Sequence, residues 1–395
     1  MEAHIPAHTT EQKPSYEEWL GGIAAEFERL EADENRPISG AFATAVLRGI
    51  RDAENDEFRD YMRTFYTVRP LLPAAYALRL MLTSWQNQVM DRPGYPEEVS
   101  AERCVESLNG RGPFALSLAE RSTFIGDLLL RDLNTPVPQR AAFRRFVEII
   151  MADRLGESPT GYDVGASDNS NIIRSAIERP FHRVDVQRRA PGASQSGYDE
   201  RPTTVFNSIL ATPHMPGRWI GLDLIDPTWP ENAHWIKACR QPEEIGTWQK
   251  HDELLHERID PARVGFAMCN FARADQVAAV VARHGTVDVV NFSFSWSQGD
   301  ALDRRAKFDN ALGCLNAGGL MVFLEPARLC AEPPYLEVDW SAFGGFVYDP
   351  SRERMFHIAD FGRDGRCGRV ALLPDCADLA AGSPYQADIA HMLVE

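Results

Sequence analysis

The sequence predicts an α/β protein, with a mainly parallel sheet behind an all-α N-terminal domain, and three observations carry this. After Pro159, short apolar runs of four to seven residues alternate with helical patterns. The first of these runs ends in an acidic residue and a glycine turn that opens a helix. Before about residue 155 only helical periodicity is found.

In the N-terminal part, Ser15-Tyr16-Glu17-Glu18 reads as a capping box, and Leu20, Ile23, Phe27 and Leu30 follow at helical spacing. Similar patterns recur at 42–50, 73–85, 113–133 and 143–155, the last with Phe143, Val147 and Ile150 as one stripe. Pro70, Pro93, Pro96 and Pro136 mark the breaks. The expected division is a helical domain over 1–155 and a sheet domain over 156–395, the latter interrupted by an insertion at about 180–217. Strands are expected at 161–164, 219–224, 264–269, 287–292 and 320–324, with helices at 170–178, 231–238, 275–284 and 304–315 between them. Segments 354–360 and 369–373 flank Gly362-Arg363-Asp364-Gly365 and read as a closing antiparallel hairpin.

Composition narrows the function. The formal charge of -16, from 41 basic and 57 acidic residues, repels a phosphate backbone, so a nucleic-acid partner is not expected. No apolar run is long enough to span a bilayer, and Met1-Glu2-Ala3-His4-Ile5-Pro6 does not resemble a signal peptide. The expectation is a cytoplasmic protein without membrane contact. Its seven cysteines are scattered and never spaced Cys-x-x-Cys, which argues against a disulfide framework and a structural zinc site. His251 and His256 stand five apart, about 140° around a helix, so they do not form a metal pair; no metal is expected.

Gly161-Tyr162-Asp163-Val164-Gly165-Ala166-Ser167-Asp168-Asn169-Ser170-Asn171 has the outline of a nucleotide-binding loop: strand, small-residue turn and capped helix start. In order after it come Arg218-Trp219-Ile220-Gly221-Leu222-Asp223-Leu224, Val287-Asp288-Val289-Val290-Asn291-Phe292, and Ala317-Gly318-Gly319-Leu320-Met321-Val322-Phe323-Leu324-Glu325. On these residues the chain resembles the class I S-adenosylmethionine-dependent methyltransferases and, more narrowly, the bacterial DUF2332 family. The resemblance implies a Rossmann-like, mainly parallel seven-stranded sheet ending in an antiparallel hairpin.

It also implies site roles. Gly165, Ala166 and Ser167 would lie under the methionine part of S-adenosylmethionine, oriented by Asp163, with Asn171 in the same set. Asp223, followed by Leu224, would accept hydrogen bonds from the ribose hydroxyls. Asn270 and Phe271 would hold adenine, with Phe292 also at the cofactor; residues 291–295 would face the reacting methyl group. The loop departs from the pattern in keeping only Gly165 of the usual glycines, and the interval from Asp163 to Asp223 is far longer than one crossover needs.

Ser293, Ser295 and Trp296 leave the fourth expected strand and are candidates to face an acceptor, either as cavity lining or as plain strand alternation. In the insertion, Arg183, Arg188 and Arg189 could grip an anionic substrate, or simply guard a solvated edge; His182 is a candidate base. The leading expectation is a methyltransferase-like enzyme acting on a small molecule in natural-product metabolism. The alternatives are an elimination or ring-closing enzyme on the same fold with a sulfate or phosphate leaving group, and a noncatalytic subunit of a hetero-oligomeric biosynthetic complex; the chain could itself form a homo- or hetero-oligomer.

Overall fold

The computed structural model describes residues 15–34, 36–51, 138–166, 184–188, 200–212, 217–224, 262–339, 342–361 and 369–394, together with isolated positions between them. By contact the chain divides into two compact units, Met1–Leu133 with Ala233–Trp248, and Asn134–Asn232 with Gln249–Glu395.

In the first unit, α1 (Tyr16–Glu31) opens with the expected capping box: Ser15 Oγ accepts from Glu18 N at 3.2 Å and Glu18 accepts from Ser15 N at 2.8 Å. Its buried stripe is Trp19, Ile23, Phe27 and Leu30. Trp19 takes the place expected for Leu20, because it is four residues from Ile23 on the same face. Helix α2 (Pro37–Arg51) starts earlier than its apolar pattern, at a proline whose missing N–H costs nothing in a first turn. Phe42, Val46 and Leu47 close this core with Met81 and Trp85. The returning segment joins it where Gln86 Nε2 donates to the Lys237 carbonyl at 3.4 Å. The helices expected at 73–85 and 113–133 lie mostly or wholly outside the described residues.

The second unit is a nine-stranded sheet with helices on both faces. Its elements are α3 (Pro138–Leu155), β1 (Gly161–Val164), β2 (Asp185–Arg188), α4 (Glu200–Leu210), β3 (Trp219–Asp223), β4 (Val264–Met268), α5 (Ala274–His284), β5 (Val287–Ser293), α6 (Ala301–Cys314) and β6 (Leu315–Glu325). Then follow β7 (Ala327–Leu329) and β8 (Leu336–Val338), a separate two-stranded ribbon, and β9 (Gly344–Asp349), β10 (Arg354–Phe361), β11 (Arg369–Leu372), α7 (Asp375–Leu379) and α8 (Gln386–Val394). The order is β2-β11-β10-β9-β6-β5-β1-β3-β4. Strands β4, β3, β1, β5 and β6 are mutually parallel, whereas β9, β10 and β11 continue as an antiparallel meander.

This corrects the sequence expectation in three ways. Among the described residues the sheet has nine strands, not seven. The expected hairpin is present as β10 and β11, but β9 precedes it and pairs with β6. Finally, α3 belongs with the sheet: Phe143, Phe146, Val147 and Ile150 pack on Val289, Leu320 and Val322, so the division falls before this helix and not after it.

The long interval after β1 also finds its explanation. It carries β2 to the far edge of the sheet, parallel to β11, and returns through α4. An edge strand leaves one row of backbone groups unpaired. Here α4 satisfies those of Val184 and Val186: Asn207 accepts from Val184 N at 2.9 Å and donates to its carbonyl at 2.8 Å, while Thr203 Oγ1 does the same for Val186 at 2.9 and 3.1 Å. The opposite face of the parallel strands is filled by Tyr162, Leu222, Val290, Phe292 and Phe323 against α5 and α6. None of the described helices is long and apolar enough to cross a membrane.

Candidate functional site

The parallel strands end together, and the chain reverses direction between β1 and β5: β3 and β4 lie to one side of β1, β5 and β6 to the other. In open α/β sheets, ligands bind outside the carboxyl ends of the strands at such a reversal. Gly165, Asp223, Asn270, Ser293 and Glu325 are the residues at or just beyond these ends.

Gly165 has φ +76, which favours glycine, and a Cβ there would stand 2.5 Å from Ser295 Cβ. The close approach is therefore made by the chain itself. The amides of Gly165 and Ala166 donate to the Leu222 carbonyl at 2.8 and 3.2 Å.

Asp163 points to the face covered by α3, not over the strand end. Its carboxylate takes Arg144 Nη1 at 2.9 Å and Asn291 Nδ2 at 2.6 Å, and Arg144 Nε also meets Glu148 at 3.0 Å. All four residues are buried, and the guanidinium stacks over the Trp219 ring at 4.8 Å. The expected contact of Asp163 with a methionine end is thus displaced by an internal ion network. Register explains it, because Asp163 and Asn291 are direct partners on β1 and β5.

Burial pushes the Asp163 carboxyl above its ordinary value of 3.8; Arg144 opposes the shift and Glu148 adds to it. The folded carboxyl then holds its proton to higher pH than the unfolded one. Its contribution favours the folded state at low pH and is lost as pH rises from the ordinary value through the folded one. The denaturation free energy of the parent minus that of Asp163→Asn should therefore fall across this rise; a flat difference would contradict the shift.

Asp223 ends β3 partly exposed, with Oδ1 accepting Leu224 N at 2.7 Å; Leu224 is 50% exposed beside it. Asn270 Oδ1 accepts Ala272 N at 3.0 Å and Asn270 N donates to Gln276 at 2.7 Å, a local turn that launches α5. Phe271 and Phe292 are buried and meet edge to face at 5.6 Å, with Phe292 stacked on Phe323 at 5.0 Å. Phe292 is core rather than cofactor wall.

Ser295 and Trp296 also differ from their expected acceptor-facing roles. Ser295 Oγ donates to the Val164 carbonyl at 2.6 Å, which ties β5 to β1, and Trp296 is wholly buried against Phe323. Ser293 follows Asn291 on the α3 face, and its buried Oγ has no hydrogen-bond partner among the described residues. Sequence reasoning missed Arg144 and Glu325. Arg144 sits among the apolar residues of α3 with nothing in its spacing to separate it from a surface arginine. Glu325 was visible as an acid closing a buried apolar strand.

Ser167, Asn171, His182, Arg183 and Arg189 lie outside the described residues, as does the side chain of Arg188. Among the described residues no group of three or more His, Cys, Asp or Glu could hold a metal ion.

No family model matches the chain, so the DUF2332 resemblance has no such match behind it, and no curated protein matches either. Among solved structures the chain is similar to an O-methyltransferase family protein from Burkholderia thailandensis, at 14% identity and TM-score 0.27, over 66% of this chain and 56% of that one. It is also similar to the MycE methyltransferase of the mycinamycin biosynthetic pathway, in complex with Mg and SAH, at 13% identity and TM-score 0.23, over 59% and 48%. The chain spans about half the length of each.

Proposed function

We propose that this chain is a methyltransferase-type enzyme that holds S-adenosylmethionine across the carboxyl ends of β1, β3 and β4 and acts on a small molecule. The observation that carries this reading is Asp223: a partly exposed carboxylate ending the strand next to β1, beside the chain reversal, in a parallel run ordered β4-β3-β1-β5-β6. A carboxylate has two acceptor oxygens for the paired hydroxyls of a ribose. Leu224, half exposed next to it, offers apolar contact to a purine or sugar face. The strongly acidic chain favours a small acceptor over a nucleic acid.

When bound, the cofactor supplies a methyl group on a sulfonium, a good leaving centre for an in-line displacement. The chain's own contribution is then mostly positioning, which can supply much of such a rate enhancement. Asp223 would fix the sugar, and the segment after β5 would bound the reacting end.

A second reading is an enzyme that keeps this fold but not the methyl donor. It is favoured by Asp163, whose carboxylate is committed to Arg144 and Asn291, and by Ser295, which fills the space over Gly165. Titration calorimetry with S-adenosylmethionine separates the two. The methyl-donor reading expects saturable binding by the parent. Asp223→Ala should weaken it about 10- to 100-fold, as for the loss of hydrogen bonds to a charged group, with the thermal midpoint nearly unchanged. A parent that binds adenosine but not S-adenosylmethionine would favour the second reading. Equal affinity in parent and variant would remove Asp223 from the site.

A further inference from the structure

The segment after β5 is held by an unusual internal anion site. Glu325, the last residue of β6, is wholly buried. Its Oε1 accepts the amides of Ser295 and Trp296 at 2.7 and 2.9 Å, and its Oε2 accepts the amide and hydroxyl of Ser297 at 3.2 and 2.7 Å. Three successive N–H groups converging on one carboxylate form an anion-binding nest of the kind that elsewhere takes a ligand phosphate. Here the ligand is the chain's own side chain.

The other side of the segment is tied as firmly. Lys307 Nζ donates to the carbonyls of Ser295 and Gln298, both at 2.7 Å. Phe294 stands just before the nest at φ +59, a left-handed conformation that costs a non-glycine residue about 1–2 kcal/mol. That conformation turns the chain out of β5 so that the next three amides face one point. It also lays Ser295 against Gly165 at the reversal between β1 and β5.

We propose that Glu325 is a positioning residue that sets the ligand-side shape of the β5 end from beneath, with Lys307 as its counterpart. The proposal rests on the reading that the carboxyl edge of the sheet binds S-adenosylmethionine. Glu325 touches no ligand; it acts by holding Ser293 to Ser297 in one conformation. Burial raises the Glu325 carboxyl above its ordinary value, while the hydrogen bonds from Ser297, Trp296 and Ser295 oppose that rise by favouring the ionised form. A charge-assisted set of this kind is stronger than neutral hydrogen bonds.

The test removes the carboxylate and then returns it from solution. Glu325→Gly should leave the nest open to a small carboxylate. Hydrogen exchange at the amides of Ser295, Trp296 and Ser297 should accelerate at least about 10-fold, while the β1 amides stay protected. S-adenosylmethionine affinity should fall by a similar factor. Formate should restore both, and chloride at equal ionic strength neither. A folded variant whose three amides exchange as slowly as the parent's, or whose affinity formate leaves depressed after exchange recovers, would overturn the proposal.

If Glu325→Gly does not fold, Glu325→Gln preserves volume but presents an amide donor to the nest. It should loosen the same three amides selectively, and unchanged exchange there would count against the proposal. A parent that binds no S-adenosylmethionine sinks the methyl-donor reading. The exchange measurement, with and without formate, then decides the role of Glu325 alone.

Discussion

Replacing Arg144 with methionine is expected to cost the sheet unit roughly 3–5 kcal/mol, because it leaves two buried carboxylates facing each other without their shared guanidinium. Arg144 and Asp163 are each 2% exposed, and Glu148 is 0% exposed. None of them can recover water's solvation without opening α3 from the sheet. The size of the effect would come mostly from the stranded charges, not from the worth of the ion pair itself. Hence a triple variant, Arg144→Met with Asp163→Asn and Glu148→Gln, should regain much of the loss despite removing more polar contacts. Guanidinium denaturation followed by exchange of β1 and β5 amides measures both, since these strands lie under the cluster. A single-variant cost below about 1 kcal/mol, or a triple variant no better than the single, would show that the cluster is not the stranded-charge system its burial indicates.

The second large effect is at Gly165. Alanine there must adopt φ +76, costing about 1–2 kcal/mol. It must also fit a methyl where Ser295 Cβ would be 2.5 Å away, which adds overpacking of about 1–3 kcal/mol. Gly165→Ala should therefore lose roughly 2–5 kcal/mol, the sum of these two ranges. The two causes separate in a cycle. Combining it with Ser295→Gly removes the opposing Cβ and should recover the packing part when judged against Ser295→Gly alone, which itself loses the hydrogen bond to the Val164 carbonyl and carries a backbone cost; the conformational part remains. Additive losses in the double variant would mean that Ser295 does not crowd Gly165.

These two residues illustrate different degrees of legibility. Gly165 could be recognised from the sequence as a glycine that a turn requires, since the residue before it ends an apolar strand and a small residue follows it. What that glycine accommodates could not be read. A ligand phosphate or sulfonium and the chain's own Ser295 make the same demand on backbone space, and 130 residues separate the two partners in the chain. Asp163 is a similar case. Its place at a strand end suggests a ligand contact, but strand pairing sets Asn291 beside it and α3 lowers Arg144 onto it. Arg144 itself sits among Phe143, Phe146 and Val147, where a helical pattern with mixed polarity reads as a surface helix until the sheet beneath it is known.

The sheet shows the same division. Periodicity and turn residues located β1, β3, β4, β5 and the core of β6 within a few residues, because each is a short apolar run bounded by glycine, polar turns or a helix cap. The two helices that begin at Pro37 and Pro138 extend beyond their apolar stripes, since a first turn needs a compatible φ and not a buried side chain. Strand β2 was not anticipated. Four residues at a sheet edge carry little apolar signal, and their stability comes from Asn207 and Thr203 on α4 and from pairing with β11, far away in sequence.

By itself, then, the sequence determined the elements and their polarity: a capped helical start, apolar runs in the order of a parallel α/β sheet, and an acid at the end of the strand now called β3. These follow from local spacing and backbone chemistry, which need no distant partner. The tertiary structure alone decided which acids face inward, which glycine is crowded by its own chain, and that Glu325 closes the nest after β5. Each of those depends on groups brought together across many residues by strand register and helix packing, where burial turns an ordinary charge into one that must be satisfied.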